Sequence, residues 1–377
     1  MDNDVFNYKN MLFTDIQEFK LNSENQFVDK IAYHLINKLS NDLLIVINPL
    51  GARHKNKLNF QPAKYISSNY FTFINKYKKV QFKNHAILDK INIDYNLNIN
   101  YKLIIMKFFL YCERIKKFLI KSKVKRIFIN CSYSTLHQAL IYIARELKLE
   151  TIELQHGIIS QNMSHYQYHS DILNPYKILT FGDYVANNID RSFINRSNII
   201  PIGNYYIEDY YRQALNNDFL DNIKRKYKKI VIISYQTGFE EYINSIIKQT
   251  SLLTNDIYFL GLNKNKSLYQ NISYYNNFEI RNDIDFFKAL KYADCHITIF
   301  STTALEALYI GKKNIFLNIN NISKYFFEKI LNPNLFYSTI EPEDIINYIF
   351  DNNNDVKKDD TSYLYKNNNE KNINYIL

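Results

Sequence analysis

Cysteine is scarce in this chain of 377 residues, which contains three of them. Cys112, Cys131 and Cys295 lie far apart, and no two form a Cys-x-x-Cys pair. An odd number of widely spaced thiols indicates neither a disulfide framework nor a zinc site. Each thiol is therefore expected to be a small apolar side chain of the interior.

Long apolar runs are also absent. The longest, 103–112, is interrupted by Lys107 and is far shorter than the roughly 20 residues that cross a bilayer. The amino terminus, MDNDVFNYKN, is polar and acidic, whereas a signal peptide begins with basic and then apolar residues. These features predict a soluble, cytosolic protein.

Glycine is rare as well, with seven residues in the chain. Six of the seven fall at or just beyond the end of a predicted strand or helix: Gly157, Gly182, Gly203, Gly238, Gly261 and Gly311. Glycine at such a point permits a tight turn or the close approach of a ligand to the backbone. Simple loop closure explains any one of these positions equally well.

Basic residues outnumber acidic ones, which gives a net charge of +10 and a pI near 9.1. This excess favours an anionic partner, and nucleic acid, an acidic membrane surface and a phosphorylated small molecule all qualify. The lysines are mostly scattered, and the sequence shows neither a basic motif interleaved with aromatic residues nor a helix-turn-helix. A basic nucleic-acid-binding protein is therefore kept as the non-enzymatic alternative.

Apolar strands alternate with amphipathic helices along most of the chain. Strands are predicted at 42–49, 126–132, 151–155, 176–183, 198–204, 228–236, 256–263, 295–301 and 313–319, and helices at 135–150, 239–250, 284–293 and 302–311. Strands that are apolar on both faces and separated by helices form parallel sheets with helices on each side. We predict an α/β fold with two doubly wound parallel-sheet domains, 1–205 and 206–350, and a polar, mobile tail at 351–377. Because ligands bind at the carboxyl ends of such strands, both sheets are expected to face a shared cleft.

The strongest functional signal is the segment 299–317. Ser301, Thr302 and Thr303 stand where a buried strand passes into a helix, and hydroxyl and backbone N–H groups at such a point can hold an anion. Glu306, one turn further, can accept hydrogen bonds from a ribose. The structural alternative is a capping box of Thr303 with Glu306.

A second signal is TIELQHGIIS, residues 151–160. Alternation along a strand puts Glu153 and Gln155 on one side, and His156 falls at the strand's end before Gly157. Imidazole is suited to proton transfer near neutral pH, so His156, oriented by Glu153, is a candidate base for an acceptor hydroxyl. A histidine that merely bonds a neighbouring loop is the alternative, and metal binding through His165 has less support.

Weaker signals lie at other strand ends. Ser234 and Gln236 close the first strand of the second domain, Asp183 follows another strand and alternatively caps a helix, and Gly203 with Asn204 lies at the crossover between domains. These residues are added to the candidate site.

The order and spacing of these segments resemble bacterial glycosyltransferases of the GT-B type. The matching stretches are ELQHG, the HxxYxY-like stretch that begins at His165, TFGDY, PIGN and STTALEALYIGKK, within 150–320, and they are most similar to capsule and lipopolysaccharide enzymes related to sialic-acid and Kdo transferases. The resemblance implies two Rossmann-like domains and transfer from a nucleotide-activated sugar, CMP- or UDP-linked, with no metal and no cofactor.

The resemblance also implies roles for individual residues. His156, Glu153 and Asp183 would be catalytic beside the acceptor, with Gln155, Gly157, His165 and Tyr168 binding it. The donor would be held by Ser301, Thr302, Thr303, Glu306, Ser234, Gln236, Gly203, Asn204 and Lys264. Many relatives carry a His-Pro pair where this chain has Leu262 and Asn263, and either Lys264 or Lys266 is the expected substitute charge at the phosphate.

The resulting hypothesis is a metal-independent, inverting glycosyltransferase that acts on a growing bacterial surface glycan. A nucleotide-sugar 2-epimerase and a polyol-phosphate transferase are alternatives on the same fold. The basic helix around 103–126 is a candidate for contact with the inner face of the cytoplasmic membrane, although burial of its apolar face in the first domain explains it equally well.

Overall fold

The computed structural model describes most of the chain in two compact units. The described residues are 3–15, 19–21, 27–48, 64–73, 83–160, 163–168, 170–189, 193–204, 206–207, 211, 217–262, 272–352 and 355–366. By their contacts, Met1–His156, His165–Thr180 and Asp190–Ile200 form the first unit, and Gly157–Ser164, Phe181–Ile189 and Pro201–Leu377 form the second.

The first unit contains a seven-stranded sheet with the order β5-β4-β1-β6-β7-β8-β9. Its strands are β1 Asn10–Thr14, β4 Leu43–Ile47, β5 Lys64–Ser67, β6 Arg126–Ile129, β7 Glu150–Leu154, β8 Lys177–Thr180 and β9 Ile199–Pro201. The pairs from β5 through β8 are all parallel. A separate antiparallel ribbon joins β2 Phe19–Leu21 to β3 Phe27–Asp29.

The helices of the first unit are α1 Tyr33–Leu39, α2 Asn69–Thr72, α3 His85–Asp94, α4 Tyr101–Lys121 and α5 Thr135–Glu146. Alternate residues of β1, β4 and β6 turn one face of the sheet toward α4 and α5, where Phe13, Ile115 and Phe118 belong to one buried core. Because every residue of β1 and β4 is buried, the sheet is covered on both faces, as the doubly wound prediction requires.

The second unit contains a seven-stranded sheet with the order β12-β13-β11-β10-β14-β15-β16. Its strands are β10 Lys229–Ser234, β11 Ile257–Leu262, β12 Ile272–Tyr275, β13 Phe278–Arg281, β14 Cys295–Thr298, β15 Lys313–Leu317 and β16 Tyr337–Thr339. All pairs are parallel except β12 with β13, which are joined by a two-residue turn at the sheet's edge. The predicted fold class is therefore confirmed, with one antiparallel edge strand that the sequence did not indicate.

The helices of the second unit are α6 Asp183–Asn188, α7 Asp218–Lys226, α8 Glu240–Leu252, α9 Phe286–Tyr292, α10 Thr303–Tyr309, α11 Ile322–Phe327 and α12 Pro342–Phe350. Apolar residues of α8 and α12 pack on the sheet in a core that includes Ile243, Phe259 and Ile345. No helix in the described part of the chain combines the length and apolar character that crossing a membrane requires.

Part of the predicted mobile tail is folded. In the segment 355–366, Thr361, Leu364 and Tyr365 are buried, Tyr365 stacks on Phe181, and the Lys366 N–H donates a 2.8 Å hydrogen bond to the Phe181 carbonyl. The expectation of mobility was wrong for these residues because two apolar side chains within a polar stretch bury enough surface to hold it.

Candidate active site

Glu153 lies at the carboxyl end of β7 and is fully buried. The Tyr166 hydroxyl donates a 2.7 Å hydrogen bond to its Oε1, whereas no group in the described part of the chain, the nearby Ser132 included, has good hydrogen-bond geometry toward Oε2. Burial raises the pKa of Glu153 from 4.5 to about 7, and the Tyr166 bond and the neighbouring Ser132 only partly oppose that rise. The carboxyl group therefore changes its protonation state near neutral pH.

His156, two residues beyond β7, is half-buried and hydrogen-bonds Tyr133. Its Nε2 lies 3.2 Å from the Tyr133 hydroxyl, and the Tyr133 ring stacks on His165 with centroids 4.4 Å apart and planes 16° apart. The hydrogen bond given for the imidazole is with Tyr133, whereas the one given for the Glu153 side chain comes from Tyr166, so orientation of His156 by Glu153 stays a prediction. The register of β6 on β7 explains the contact with Tyr133, because it brings the residues that follow β6 beside the end of β7.

We call Ser132, Tyr133, Glu153, His156, His165 and Tyr166 the tyrosine–histidine cluster. Sequence reasoning found three of these six residues and missed the other three. The missed signal is the polar run NCSYS (130–134) at the end of β6, which has the same character as the strand ends that were selected.

Two further ionisable groups lie behind this cluster. His137 is half-buried, and its Nδ1 lies 3.1 Å from Cys131 Sγ. Burial, together with repulsion from His156, lowers the pKa of His137 to about 4, so its imidazole is neutral at pH 7. Burial and the nearby Glu153 raise the pKa of the Cys131 thiol to about 12, which makes it a poor nucleophile.

The remaining candidates for acceptor contact have varied surroundings. Gln155 is buried, and its backbone N–H donates to the Leu179 carbonyl of β8. Tyr168 is half-buried, and its hydroxyl accepts a 3.3 Å hydrogen bond from the side chain of Gln138 on α5.

Asp183 belongs to the second unit and is exposed in the first turn of α6. The alternative prediction, that Asp183 caps this helix, was wrong because Gly182 is the N-cap residue and Asp183 is already the first residue of the helix.

Ser234 and Gln236 are engaged in an internal polar network of the second unit. Gln236 Oε1 accepts hydrogen bonds from the backbone N–H groups of Ile299 (3.1 Å) and Phe300 (2.8 Å), which fixes the turn after β14. Ser234 is buried, with its Oγ 2.8 Å from His296 Nε2.

His296 links three adjacent strands through this network. Its Nδ1 lies 2.5 Å from Asn314 Oδ1, which can only accept, so Nδ1 donates and Nε2 accepts from Ser234. Burial lowers the pKa of His296 to about 4, which keeps the ring neutral. Sequence reasoning missed this role because His296 lies inside an apolar strand.

Four residues at the carboxyl edge of β10 and β14 form what we call the Glu306 edge: Gln236, Ser301, Thr303 and Glu306. The Ser301 hydroxyl accepts a 3.3 Å hydrogen bond from the Thr303 N–H, and the buried Thr303 hydroxyl has no hydrogen-bond partner among the described residues. Glu306 is half-buried, and no described residue makes a hydrogen bond or ion pair with its carboxylate.

The capping-box alternative for Glu306 was wrong. The helix begins at Thr303, so Thr302 is the cap residue and makes no side-chain cap bond, and Glu306 is one position too late to reach back to it. The carboxylate of Glu306 is therefore not used to cap its own helix, which leaves it available to a ligand.

The predicted glycines differ in what they require. A Cβ on Gly157 would lie 3.9 Å from Thr302 Oγ1, which is an ordinary van der Waals distance. Gly157 therefore lies beside the start of α10, but the space there does not require a glycine. Gly203 has φ of +90°, a backbone conformation that favours glycine, and the adjacent Asn204 is buried. Leu262 ends β11, whereas Asn263, Lys264 and Lys266 lie outside the described residues.

No group of three or more His, Cys, Asp or Glu side chains in the described ranges could hold a metal ion. Metal-independent chemistry stays a prediction, as does the absence of a cofactor.

Comparison with solved structures identifies the architecture. S. aureus MnaA in complex with UDP matches with a TM-score of 0.61 at 11% identity, over 98% of this chain and 96% of that chain. The glycotransferase of kitacinnamycin matches with a TM-score of 0.58 at 10% identity, over 94% and 93% of the two chains. The chain has the GT-B fold.

The GT-B fold is shared with an enzyme class of different chemistry. The UDP-GlcNAc 2-epimerase from Methanocaldococcus jannaschii matches with a TM-score of 0.54 at 13% identity, over 96% of this chain and 94% of that chain. No protein-family model and no curated protein sequence matches the chain. At these identities the likeness establishes the GT-B fold, and the reaction has to be argued from the residues.

Proposed function

We propose that this GT-B chain is a glycosyltransferase that moves a sugar from a nucleotide-activated donor, CMP- or UDP-linked, to a hydroxyl group of a bacterial surface glycan, in the manner of sialic-acid and Kdo transferases. The observation that carries the proposal is the tyrosine–histidine cluster, which holds a half-buried imidazole at the carboxyl edge of the first sheet. Ligands of open α/β sheets bind at that edge.

In the proposed reaction the acceptor oxygen attacks the anomeric carbon of the donor. The bond from that carbon to the phosphate oxygen breaks, the leaving phosphate takes the electron pair, and His156 takes the proton of the acceptor hydroxyl. One displacement of this kind inverts the anomeric configuration. The Tyr133 hydroxyl holds Nε2 of His156 in place, and the ring stack on His165 fixes Tyr133.

The Glu306 edge supplies the donor contacts in this proposal. A carboxylate accepts hydrogen bonds from sugar hydroxyls, and no described residue makes a hydrogen bond or ion pair with the Glu306 carboxylate, although the buried Tyr365 is close enough to be affected by its charge. The buried, unpartnered Thr303 hydroxyl and that of Ser301 can donate to phosphate oxygens. No metal is needed to hold the phosphate if these donors do so.

Nucleotide-sugar 2-epimerisation is the second candidate, and the fold likeness to the archaeal UDP-GlcNAc 2-epimerase favours it. An epimerase consumes its nucleotide-sugar with no acceptor present, whereas a transferase needs an acceptor for rapid turnover. Incubation of the protein with donor alone separates the two functions.

Donor binding is the first test. We expect one of CMP-, UDP-, GDP- or TDP-linked sugars to raise the melting temperature, since a ligand that binds only the folded state stabilises it. Glu306→Ala should abolish the shift, and Glu343→Ala, on an exposed face of α12, should keep it. If no nucleotide-sugar raised the melting temperature, the proposal would be abandoned.

Turnover is the second test. With the identified donor and an acceptor glycan, His156→Ala should lower kcat by about 100-fold or more, because general base catalysis contributes that much, while KM for the donor changes little. A variant that keeps the wild-type kcat would contradict the assignment of His156 as the base.

A further inference from the structure

The side chain of Tyr365 is buried against α10, the helix that carries Glu306. Its ring contacts that of Tyr309, the last residue of α10, with centroids 4.8 Å apart, and it stacks on Phe181 with centroids 5.4 Å apart and planes 16° apart. Only 1% of Tyr365 is exposed. The segment 355–366 therefore brings an aromatic side chain from far along the chain to the helix of the Glu306 edge.

The hydroxyl group of Tyr365 is not explained by this packing. It is buried, and it has no hydrogen-bond partner among the described residues. A phenylalanine would make the same ring contacts without removing a hydroxyl from water, and the cost of that removal is not offset while the hydroxyl stays unpaired. Each buried polar group without a partner in a folded protein calls for a reason, and a role in function is one of them.

The Glu306 carboxylate is the charged group that acts on this hydroxyl. Burial raises the pKa of Tyr365 well above its ordinary value, and the negative charge of Glu306 raises it further. Tyr309 lies three residues after Glu306 on α10, so the contact with Tyr309 puts the phenol of Tyr365 beside the turn that carries Glu306.

The two groups are complementary in their hydrogen bonding. The phenol has a proton to donate, whereas an ionised carboxylate only accepts, with two oxygens that can serve two donors at once. No described residue makes a hydrogen bond or ion pair with the Glu306 carboxylate, and none pairs with the Tyr365 hydroxyl. A small movement of the half-buried Glu306 side chain is enough to pair a donor that lacks an acceptor with an acceptor that lacks a donor.

We propose that Tyr365 is a positioning residue for Glu306. When the nucleotide-sugar binds, one oxygen of the Glu306 carboxylate accepts a hydrogen bond from the Tyr365 hydroxyl, and the other oxygen accepts from a hydroxyl group of the donor. A carboxylate that is held at one oxygen loses less conformational freedom when the other oxygen binds its ligand. This inference rests on the proposed function, in which Glu306 contacts the donor.

The first measurement needs no ligand and compares two variants of the full chain, each of which lacks one hydroxyl group of the same segment. Tyr365→Phe removes an unpaired hydroxyl, so its melting temperature should not fall. Tyr363→Phe is the matched control. Its hydroxyl donates a 3.1 Å hydrogen bond to the Ile330 carbonyl and accepts a 3.0 Å bond from the Asn332 N–H, so its loss should lower the melting temperature. An equal fall for Tyr365→Phe would show that its hydroxyl has a structural partner, and the proposal would be wrong.

The second measurement is the dissociation constant of the donor, by calorimetric titration with whichever of the CMP-, UDP-, GDP- and TDP-linked sugars raises the melting temperature of the wild type. Tyr365→Phe should raise this constant about tenfold, because it removes one hydrogen bond to a charged group, and Tyr363→Phe should stay within twofold. The KM for the donor should rise by a similar factor while kcat stays within twofold, since Glu306 is held in the same way before and during the transfer.

Combination with Glu306→Gln shows whether Tyr365 acts through Glu306. Because a neutral amide accepts a weaker hydrogen bond than a carboxylate, adding Tyr365→Phe to Glu306→Gln should raise the dissociation constant by no more than about twofold. A further tenfold rise would mean that Tyr365 acts independently of Glu306 and would overturn the proposal. Equal donor affinity of Tyr365→Phe and the wild type would overturn this inference alone, whereas a wild type that binds no nucleotide-sugar would remove the proposed function together with it.

Discussion

Gly182 allows the segment 355–366 to dock on the second unit, and Gly182→Ala should undo that docking. A Cβ at this position would lie 2.3 Å from the Leu364 carbonyl oxygen, 2.4 Å from the Leu364 carbonyl carbon and 2.6 Å from the Tyr363 carbonyl oxygen. All three are backbone atoms, so no side-chain rotation relieves the overlap. The Gly182 backbone is extended, which an alanine adopts without strain, so the effect of the substitution comes from this overlap alone.

The size of the effect follows from what the segment contributes. To relieve the overlap, the segment 355–366 has to move away from Gly182 by about 1 Å. This movement breaks the hydrogen bonds from the Lys366 N–H to Phe181 and from the Tyr184 N–H to Tyr363, and the loss of each bond lowers the free energy of unfolding by about 1 kcal/mol. It also exposes part of Leu364 and Tyr365, each of which stabilises by about 1.5–3 kcal/mol when buried. The freed residues regain conformational entropy worth about 1–2 kcal/mol per residue, which offsets part of these losses. We therefore expect the free energy of unfolding to fall by about 2–3 kcal/mol.

Urea unfolding of five chains measures this quantity. Gly182→Ala is compared in the full chain and in a chain that ends at Ser362, and Gly157→Ala serves as the control because its Cβ would make only a 3.9 Å contact. The substitution should cost about 2–3 kcal/mol in the full chain and almost nothing in the truncated one, since the overlapping atoms are then absent. Equal losses in both chains would refute the reasoning.

Two further predictions concern the tyrosine–histidine cluster. Because burial raises the pKa of Glu153 from 4.5 to about 7, the folded state binds more protons than the unfolded state in that window, so the free energy of unfolding should fall by about 3 kcal/mol as pH rises from about 4.5 to above 7. Glu153→Gln should remove this contribution in urea unfolding at pH 5 and pH 8, and an unchanged pH dependence would contradict the burial argument. Tyr133→Phe removes the hydroxyl that bonds His156 but keeps the ring that stacks on His165, so kcat should fall about tenfold and its pH profile should shift, whereas Tyr227→Phe, which removes a hydroxyl bonded to the Asn276 carbonyl in the second unit, should change neither. A pH profile of Tyr133→Phe identical to that of the wild type would remove Tyr133 from the site.

Apolar runs predicted the longer strands, because a longer run shows a clear pattern of apolar residues. The predicted strand 228–236 is β10 Lys229–Ser234, and the predicted helix 135–150 is α5 Thr135–Glu146. The central strand β1, Asn10–Thr14, was missed because a run of five residues beside a polar terminus carries no distinctive period. The short edge strand β12 was missed for the same reason.

The contacts of the candidate site were harder to predict than its positions. Polar strand ends located Glu153, His156 and Glu306, since parallel strands gather their carboxyl ends at one edge. The partner of each side chain depends on which strands are neighbours, and this is a property of the whole sheet. Tyr133 is 23 residues before His156 in the sequence, and only the pairing of β6 with β7 brings the two together.

The two groups at the end of β7 differ in a way that decides which of them can touch a substrate. Glu153 is fully buried, its Oε1 accepts a hydrogen bond from Tyr166, and burial is the largest influence on its pKa, so the neutral carboxyl is favoured up to a pH of about 7. His156 is half-buried, and the Tyr133 hydroxyl lies 3.2 Å from its Nε2. A base must come within hydrogen-bond distance of the proton it removes, and the buried carboxyl is the worse placed of the two. Glu153→Gln should therefore keep most of the turnover at pH 8, where His156→Ala loses it; the reverse order in kcat would assign the proton transfer to Glu153.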